Sequence, residues 1–342
     1  MTCEFTFLAV GNADSIIIRP EGGPSALVDI PVPRSITKWL QTNGVSDVGC
    51  IFITHAHRDH FAPLTHFATF VEQWVRGGGN VGEIFLSIDI LKRATAELRR
   101  LKTRNQKKYL ALHHAITYLR LWGGKRFYIQ DAVRSRRPSY TAGQLSIRVL
   151  HPEAMFLAEH SSTSATRLNE RSIILKVNYK NFAAILLADL EGVGISECLD
   201  KCASGELKAH LVKIPHHGAW PANGADLEAL LRKISAEIAV LSVGSKNPYG
   251  HVVPELFQLL LTLKSEKSLK QFICTEATRT CIHSSSERGM MGKSGLAYRL
   301  PCAGDISVVA DGSGRWVVNT AMNHSTQLAS IKYAACEGRG DL

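Results

Sequence analysis

The segment Thr54-His55-Ala56-His57-Arg58-Asp59-His60 constrains this chain more than any other part of its sequence. It places three imidazoles and one carboxylate at the spacing H-x-H-x-D-H, directly after the apolar run 48–53, which is typical of a buried strand. A strand that ends at such a cluster delivers its side chains from a rigid support into a loop. Two of them can then converge on one metal ion and two on a neighbouring ion, so the pattern predicts a two-metal centre.

The composition indicates a soluble globular protein. The chain has 342 residues, of which 45% are hydrophobic, enough for a sizeable core. Residues 1–7 lack the basic and apolar regions of an export signal, and no run of about 18 uncharged apolar residues predicts a membrane span. The eight cysteines have no framework spacing. Together these features favour reduced thiols and a cytoplasmic location.

The charge of the chain favours a polyanionic partner. The formal net charge is +10, and a dense group of basic residues lies between residues 91 and 125. The segment 88–125 is predominantly helical in its pattern, so we expect a basic helical insertion or cap there. Either a solvated helix face or a nucleic-acid surface explains this group: Lys92, Arg93, Arg99, Arg100, Lys102, Arg104, Lys107, Lys108, Arg120 and Lys125.

Two β-rich halves follow one another along the chain. Strand patterns at 15–19, 26–30 and 48–53 are matched in the second half by strand patterns at 172–179, 183–188, 209–214 and 238–243, with helical segments between them. This order predicts an α/β fold, a four-layer αββα sandwich. We expect one hydrolase-like domain over residues 1–318, with the insertion at about 88–125, and a C-terminal tail at 319–342. The polar segment 161–166 is predicted to be a loop near the site.

The histidine cluster resembles the signature of the metallo-β-lactamase superfamily. Within it, the chain is most similar to the soluble C-terminal domain of the competence protein ComEC and its free-standing relatives. That second resemblance is carried by seven segments in the same order: residues 7–16, Leu27-Val28-Asp29, the histidine cluster, residues 169–175, residues 186–191, Lys213-Ile214-Pro215-His216-His217-Gly218, and residues 241–251. It implies the metallo-β-lactamase sandwich and a metal-dependent hydrolase.

The superfamily resemblance also implies a set of metal ligands. His55 and His57 would hold the first ion, Asp59 and His60 the second, and Asp189 would supply the bridging carboxylate. His251 lies after a strand where the superfamily normally provides its last ligand. ComEC relatives commonly have Asp where this chain has His57, so nitrogen ligation is richer here, and zinc becomes plausible beside manganese as the pair of divalent ions.

The usual third-strand histidine of the superfamily is absent. Asn169 lies near that point and offers only a neutral carbonyl oxygen. His216 and His217 are candidates to replace it, one contacting metal and the other a phosphate oxygen, and the sequence does not decide between them. Asn169, Lys213 and Asn247 are expected to contact substrate, Lys213 together with the basic insertion holding flanking phosphates.

Three hypotheses of function remain open. The first is a phosphodiesterase or nuclease that cleaves DNA or RNA with a metal-activated hydroxide, using Asp59, Asp189, His216 and His217. The second keeps this chemistry but acts on a small phosphodiester such as a cyclic nucleotide, or on another ester or lactam. The third is a degenerate enzyme that binds nucleic acid or a partner protein, in a bacterial defence or competence locus. The oligomeric state is not determined by the sequence.

Overall fold

Two seven-stranded sheets form the centre of the computed structural model, which describes residues 1–123, 133–160, 168–291 and 295–339. The strands of the first sheet are β1 (Thr2–Phe7), β2 (Ile16–Pro20), β3 (Ser25–Val28), β4 (Asp47–Ile53), β5 (Asn80–Leu86), β13 (Ile306–Asp311) and β14 (Trp316–Thr320), in the order β14-β13-β1-β2-β3-β4-β5. Those of the second are β6 (Tyr140–Ala142), β7 (Leu145–His151), β8 (Ile174–Tyr179), β9 (Phe182–Leu186), β10 (Leu211–Lys213), β11 (Ile238–Leu241) and β12 (Gln271–Cys274), in the order β12-β11-β10-β9-β8-β7-β6.

Each sheet changes from antiparallel to parallel pairing along its width. In the first sheet β1, β2 and β3 pair antiparallel, whereas β3, β4 and β5 are parallel. In the second sheet the antiparallel strands β7, β8 and β9 are followed by the parallel strands β9, β10, β11 and β12. Parallel strands present their carboxyl ends at one edge, and ligand sites of such sheets lie there.

Helices cover the outer face of both sheets. On the first sheet these are α1 (Pro33–Thr42), α2 (Leu64–Arg76), α3 (Ile88–Arg104) and α4 (Gln106–Gly123), and on the second α6 (Val193–Lys201), α8 (Gly224–Ile234) and α9 (Pro254–Ser265). Shorter helices are α5 (Ala154–Glu159), α7 (Ser204–Leu207), α10 (Arg279–Ile282), α11 (Ser285–Met291) and α12 (His324–Ser330), with 3-10 turns at Asn169–Arg171, Pro215–Gly218 and Ala335–Glu337. In the part of the chain that the structure describes, no helix combines the length and apolar character needed to cross a bilayer.

The hydrophobic residues divide into three buried layers. One lies between the sheets, where the Phe5 and Phe182 rings are 5.4 Å apart between centroids. The other two lie between each sheet and its helices. Strand β4 shows how the pattern arises: Cys50 and Phe52 face the inner layer, and Ile51 and Ile53 face the helices, because successive side chains of a strand point to opposite faces. The predicted four-layer αββα sandwich is confirmed.

The basic segment forms two helices rather than a separate cap. α3 and α4 are divided at Asn105, and Leu112, Ala115 and Leu119 of α4 are buried in the outer layer of the first sheet. The basic side chains described as exposed on these helices are Lys92, Arg93, Arg99, Arg100, Lys102, Lys107 and Lys108. Lys125 and the expected loop at 161–166 lie outside the described residues.

Residues 320–339 pack into the molecule instead of forming the expected tail. Strand β14 continues to Thr320, and α12 and the turn after it bury Leu328, Ile331 and Ala334 against the helical layer of the second sheet. The sequence after Asn319 has few turn signals. Its apolar side chains nevertheless close one end of that hydrophobic layer, so this segment is part of the domain.

Ile331→Ala should therefore destabilise the protein. Ile331 is 3% exposed, and truncating such a side chain leaves a cavity that costs about 2–5 kcal/mol in the free energy of unfolding. Val317→Ala, at a position 58% exposed, should cost less than about 1 kcal/mol. Urea unfolding of both variants measures the difference. Equal, small costs would mean that the C-terminal segment does not pack on the core.

Candidate metal centre

The loop after β4 carries the histidine cluster to the edge of the first sheet. His55 and His60 are fully buried, whereas His57 and Asp59 are partly exposed. A tight turn folds the loop back, since the backbone N–H groups of His60 and Phe61 both donate to the carbonyl of His57, at 3.2 and 2.9 Å. Strand β4 thus fixes the position of His55, and the turn brings Asp59 and His60 back to the side of the loop on which His55 lies.

The second sheet contributes residues from the carboxyl ends of β9 and β10. Asp189 follows β9 and is 1% exposed. After β10, the Pro215–Gly218 turn holds His216, His217 and Gly218 in the left-handed region, with φ of 47°, 51° and 87°. Non-glycine residues rarely adopt this conformation. A Cβ on Gly218 would lie 2.8 Å from the Val252 side chain, so glycine is required there on two grounds.

These side chains converge into two groups suited to metal ions. His55, His57, Asp59 and Asp189 form one group, and Asp59, His60, Asp189 and His217 form the other, with the ligand atoms of each group within 4.8 Å of one another. Asp59 and Asp189 belong to both. The Asp189 carboxylate places Oδ2 3.8 Å from His55 Nε2, and Oδ1 3.0 Å from His60 Nε2 and 3.6 Å from His217 Nε2.

The buried polar atoms at this point fit a cation. His60 Nε2, His217 Nε2 and Asp189 Oδ1 are buried without a hydrogen bond of acceptable geometry. His55 Nε2 faces His57 Nδ1 at 3.2 Å. Leaving several buried nitrogens and a carboxylate oxygen without partners is costly, and a divalent ion bound between them satisfies all of them. The donor set of imidazole nitrogens and carboxylate oxygens is one that zinc accepts.

Buried oxygens orient two of the histidines. His60 Nδ1 lies 2.6 Å from Asp29 Oδ2, and Asp29 is itself held by the backbone N–H and hydroxyl of Thr54, each at 2.8 Å. His217 Nδ1 lies 2.8 Å from the carbonyl oxygen of Ser242. An N–H donated from Nδ1 leaves the Nε2 lone pair of each ring directed at the metal position, as in carboxylate–histidine–metal arrangements.

The pKa shifts of Asp189 and His55 favour an anionic carboxylate and one neutral imidazole. Burial alone would raise the pKa of Asp189, but the charges of His60 and His217 outweigh it and hold the pKa well below its ordinary value. Burial lowers the pKa of His55 well below its ordinary value. An anionic carboxylate beside a neutral imidazole is the state that binds a metal ion. Burial lowers the pKa of His60, but the charges of Asp189, Asp29 and Asp14 outweigh it and raise that pKa well above its ordinary value, so a metal ion has to displace the His60 proton.

Lys213 does not reach a substrate, which corrects its predicted role. Its side chain is fully buried, its ammonium forms an ion pair with Asp14 Oδ2, and it donates to the carbonyl of Ala188 at 3.0 Å. Asp14 in turn lies 3.7 Å from His60 Nδ1 and 3.8 Å from His217 Nδ1. Lys213 therefore stabilises the carboxylate behind the two histidines, and phosphate contacts have to come from exposed residues.

His216 and Asn169 lie together beside the two groups. His216 Nδ1 is 3.0 Å from Glu191 Oε2, and Asn169 Nδ2 donates to Glu191 Oε1 at 3.0 Å. Burial opposes protonation of His216, but the hydrogen bond and charge of Glu191, with the charge of Asp189, raise its pKa. The amide nitrogen of Asn169 is 3.4 Å from His216 Nε2. Glu191 thus fixes the imidazole that the sequence left as either ligand or phosphate contact.

His251 lies outside every group of potential metal ligands formed by the described residues. Its ring is 5.3 Å from that of His216, and His217, rather than the His251 expected as the last ligand, belongs to one of these groups. Asn247 is 2% exposed and is used within its own loop: Nδ2 donates to the carbonyl of His251 at 2.7 Å, and Oδ1 accepts from the Tyr249 N–H at 3.0 Å. The predicted substrate contact by Asn247 is therefore replaced by a role in shaping this loop.

Three carboxylates at the site escaped the sequence analysis. They are Asp14, Asp29 and Glu191. Asp29 could have been found, because it directly follows β3, which is parallel to β4, so both strands end at the same edge. Asp14 and Glu191 lie in connecting turns, and no spacing relates them to the residues that they contact.

Metal analysis tests the two groups separately. Because Asp189 belongs to both, Asp189→Ala should lose most of the bound zinc or manganese, whereas His217→Ala should lose about one of about two equivalents. His113→Ala changes an exposed histidine on α4 and should retain both. Elemental analysis after gel filtration gives the counts. Full metal content in Asp189→Ala would contradict the shared carboxylate.

The Asp14–Lys213 pair predicts a non-additive effect on stability. Lys213→Met leaves a buried carboxylate uncompensated and should cost about 3–5 kcal/mol in the free energy of unfolding. Asp14→Leu combined with Lys213→Met removes both charges and should be more stable than either single variant. Urea unfolding in EDTA separates this effect from metal binding. Simple addition of the two single costs would show that the groups do not interact.

Several solved structures are similar in fold to this chain. The metallo-β-lactamase fold protein YhfI from Bacillus subtilis is 12% identical over 87% of this chain and 99% of its own, with a TM-score of 0.44. Igni18, a metallo hydrolase from the archaeon Ignicoccus hospitalis, is 11% identical over 80% of this chain and 95% of its own, with a TM-score of 0.44. Human tRNase Z, short form, is 16% identical over 80% of this chain and 92% of its own, with a TM-score of 0.37. No family model and no curated protein matches the chain. None of these likenesses assigns an activity to it.

Proposed function

We propose that this protein is a metal-dependent phosphodiesterase that cleaves DNA or RNA. The observation that carries the proposal is the pair of ligand groups sharing Asp59 and Asp189, located at the carboxyl ends of parallel strands from both sheets. The partial exposure of Asp59, 28% for its side chain, supports access of a substrate to the shared position. Converging ligand atoms also favour an enzyme over a degenerate binding module.

The two groups divide the ligands between two ions. His55 and His57 would hold one ion and His60 and His217 the other, with Asp59 and Asp189 between them. Two divalent ions bound there would supply an activated hydroxide and stabilise both the attacking and the leaving oxygen of an in-line displacement. The histidine-rich donor set favours zinc, with manganese as the alternative that carboxylates also suit.

His216 is the residue assigned to the leaving group. Its side chain is 26% exposed, Glu191 holds Nδ1 at 3.0 Å, and Nε2 lies 3.4 Å from the amide nitrogen of Asn169. An imidazole held this way can deliver a proton to the departing oxygen of a phosphodiester. Glu191 acts as the residue that fixes its orientation.

Basic residues next to the ligand loop support a phosphate-containing polymer as substrate. Arg58 is exposed within the loop itself. Arg93 is exposed on α3, and its Nη1 donates to the carbonyl of Ala56 at 3.0 Å, which joins the basic helix to the ligand loop. Together with the net charge of +10, this position favours contacts between α3 and the phosphates that flank the cleaved bond.

Hydrolysis of labelled single- and double-stranded DNA and RNA, with added manganese or zinc, tests the proposal. The wild type and His113→Ala should cleave nucleic acid, whereas Asp59→Ala and Asp189→Ala should lose about a hundredfold or more in rate, since they remove ligands shared by both ions. Higher salt should weaken substrate binding by the wild type, because phosphate contacts release counterions.

The outcomes separate the parts of the proposal. Cleavage that survives both aspartate substitutions would refute metal-dependent hydrolysis at this site. Metal-dependent hydrolysis of small phosphodiesters with no cleavage of any polymer would retain the chemistry and refute the nucleic-acid substrate. Salt-insensitive cleavage would show that α3 does not contact the phosphates.

A further inference from the structure

A row of aromatic rings leads from the ligand groups to the surface. His217, a member of the second group, is 6.4 Å from His216 between ring centroids, and His216 is 5.3 Å from His251. Tyr249 stacks on His251 at 5.8 Å with 19° between the ring planes. Tyr249 is 61% exposed. The last ring of the row therefore presents an aromatic surface to solvent, three ring-to-ring steps from His217.

The loop that carries this outer ring is held firmly. Asn247 is buried and forms hydrogen bonds with the backbone of both Tyr249 and His251. These bonds hold the two residues in fixed positions relative to each other. A Cβ on Gly295 would lie 2.3 Å from the backbone nitrogen of Asn247, which shows how closely the neighbouring segment packs on the loop. A binding surface that is already ordered loses little conformational entropy when a ligand binds.

The stacking beneath Tyr249 distinguishes it from the other exposed apolar side chains. Tyr298 is similarly exposed, at 56%, yet within the described part of the chain it makes no ring contact. Scattered exposed apolar residues need no functional explanation. A neutral ring supported on its inner face, beside a site with exposed arginines, suits a flat aromatic ligand that is linked to phosphate.

We infer that Tyr249, supported by His251, stacks a nucleobase of the same strand whose phosphodiester is bound at the metal centre. This inference rests on the proposed function. A base can stack on Tyr249 only when it is not stacked within a duplex, so the ledge formed by Tyr249 and His251 selects single-stranded nucleic acid, strand ends or short oligonucleotides. Stacking accepts any base, so no sequence preference is expected.

Binding measurements on the metal-loaded protein test the ledge. The probe is a short labelled single-stranded oligonucleotide with phosphorothioate linkages, which resist hydrolysis, and the readout is fluorescence anisotropy. Tyr249→Leu should weaken binding by about tenfold to a hundredfold, the range expected for loss of one base–aromatic stack. Tyr249→Phe keeps the ring, and Tyr298→Leu makes the same change at the unstacked tyrosine. Both should bind within about twofold of the wild type.

An abasic oligonucleotide of the same length tests the base directly. The wild type should bind it more weakly than the intact oligonucleotide, and Tyr249→Leu should bind both equally. A mononucleotide competing as well as the oligonucleotide would identify small nucleotides as the source of the base. Equal binding of the intact oligonucleotide by the wild type and Tyr249→Leu, or no binding by either, overturns the inference.

The hydrolysis assay keeps this result separate from the proposed function. If the wild type cleaves nucleic acid but Tyr249→Leu binds normally, only the ledge is refuted. If the ledge behaves as expected and no phosphodiester is cleaved, the proposed function fails while the nucleobase site stands. Equal metal content in the wild type and Tyr249→Leu shows that a loss of binding arises at the ledge.

Discussion

The buried carboxylate of Asp189 requires compensation by positive charge, and the site is arranged around this requirement. Asp189 is 1% exposed, and imidazoles from two different sheets surround it. A buried anion of this kind is tolerated only when it is paired or coordinates metal. The sandwich meets the requirement geometrically, because the loop after β4 and the turn after β10 both end at the edge where β9 delivers the carboxylate.

A second layer of charge lies behind the histidines. Asp29 and Asp14 are both buried, and they are compensated differently: Asp29 by Thr54 and His60, Asp14 by the ammonium of Lys213. Burial raises the pKa of Asp29, and the contact with His60 opposes that rise. The ammonium of Lys213 thus supplies a permanent positive charge close to the position where the metal ions would bind. The ligand rings are oriented from behind by groups that never meet substrate.

The main features of the fold and half of the site follow from periodicity and spacing. Strand β4 and the H-x-H-x-D-H cluster after it are local features, so their positions could be predicted, whereas Asp189 was indicated only by the superfamily resemblance. The sequence could not show which of His217 and His251 joins a ligand group, because both follow parallel strands. Only the left-handed turn at 216–218 directs His217 towards the other ligands. Lys213 looked like a phosphate contact because the sequence does not show that β10 lies between β9 and β11. Its partner, Asp14, comes from the other sheet.

The pairing of β1 has a consequence for how the protein is made. β1 lies between β2 and β13, with Thr2 opposite Asp311, and the Ala9 N–H donates to Asp305 at 2.7 Å. β1 therefore finds its partner β2 close by in the sequence, whereas its other partner, β13, is made only when residues 306–311 are synthesised. Such non-local pairing is slow to form and leaves a strand edge exposed meanwhile. Until β13 has been synthesised, the hydrophobic layer between the sheets also lacks Ile306, Val308 and Ala310.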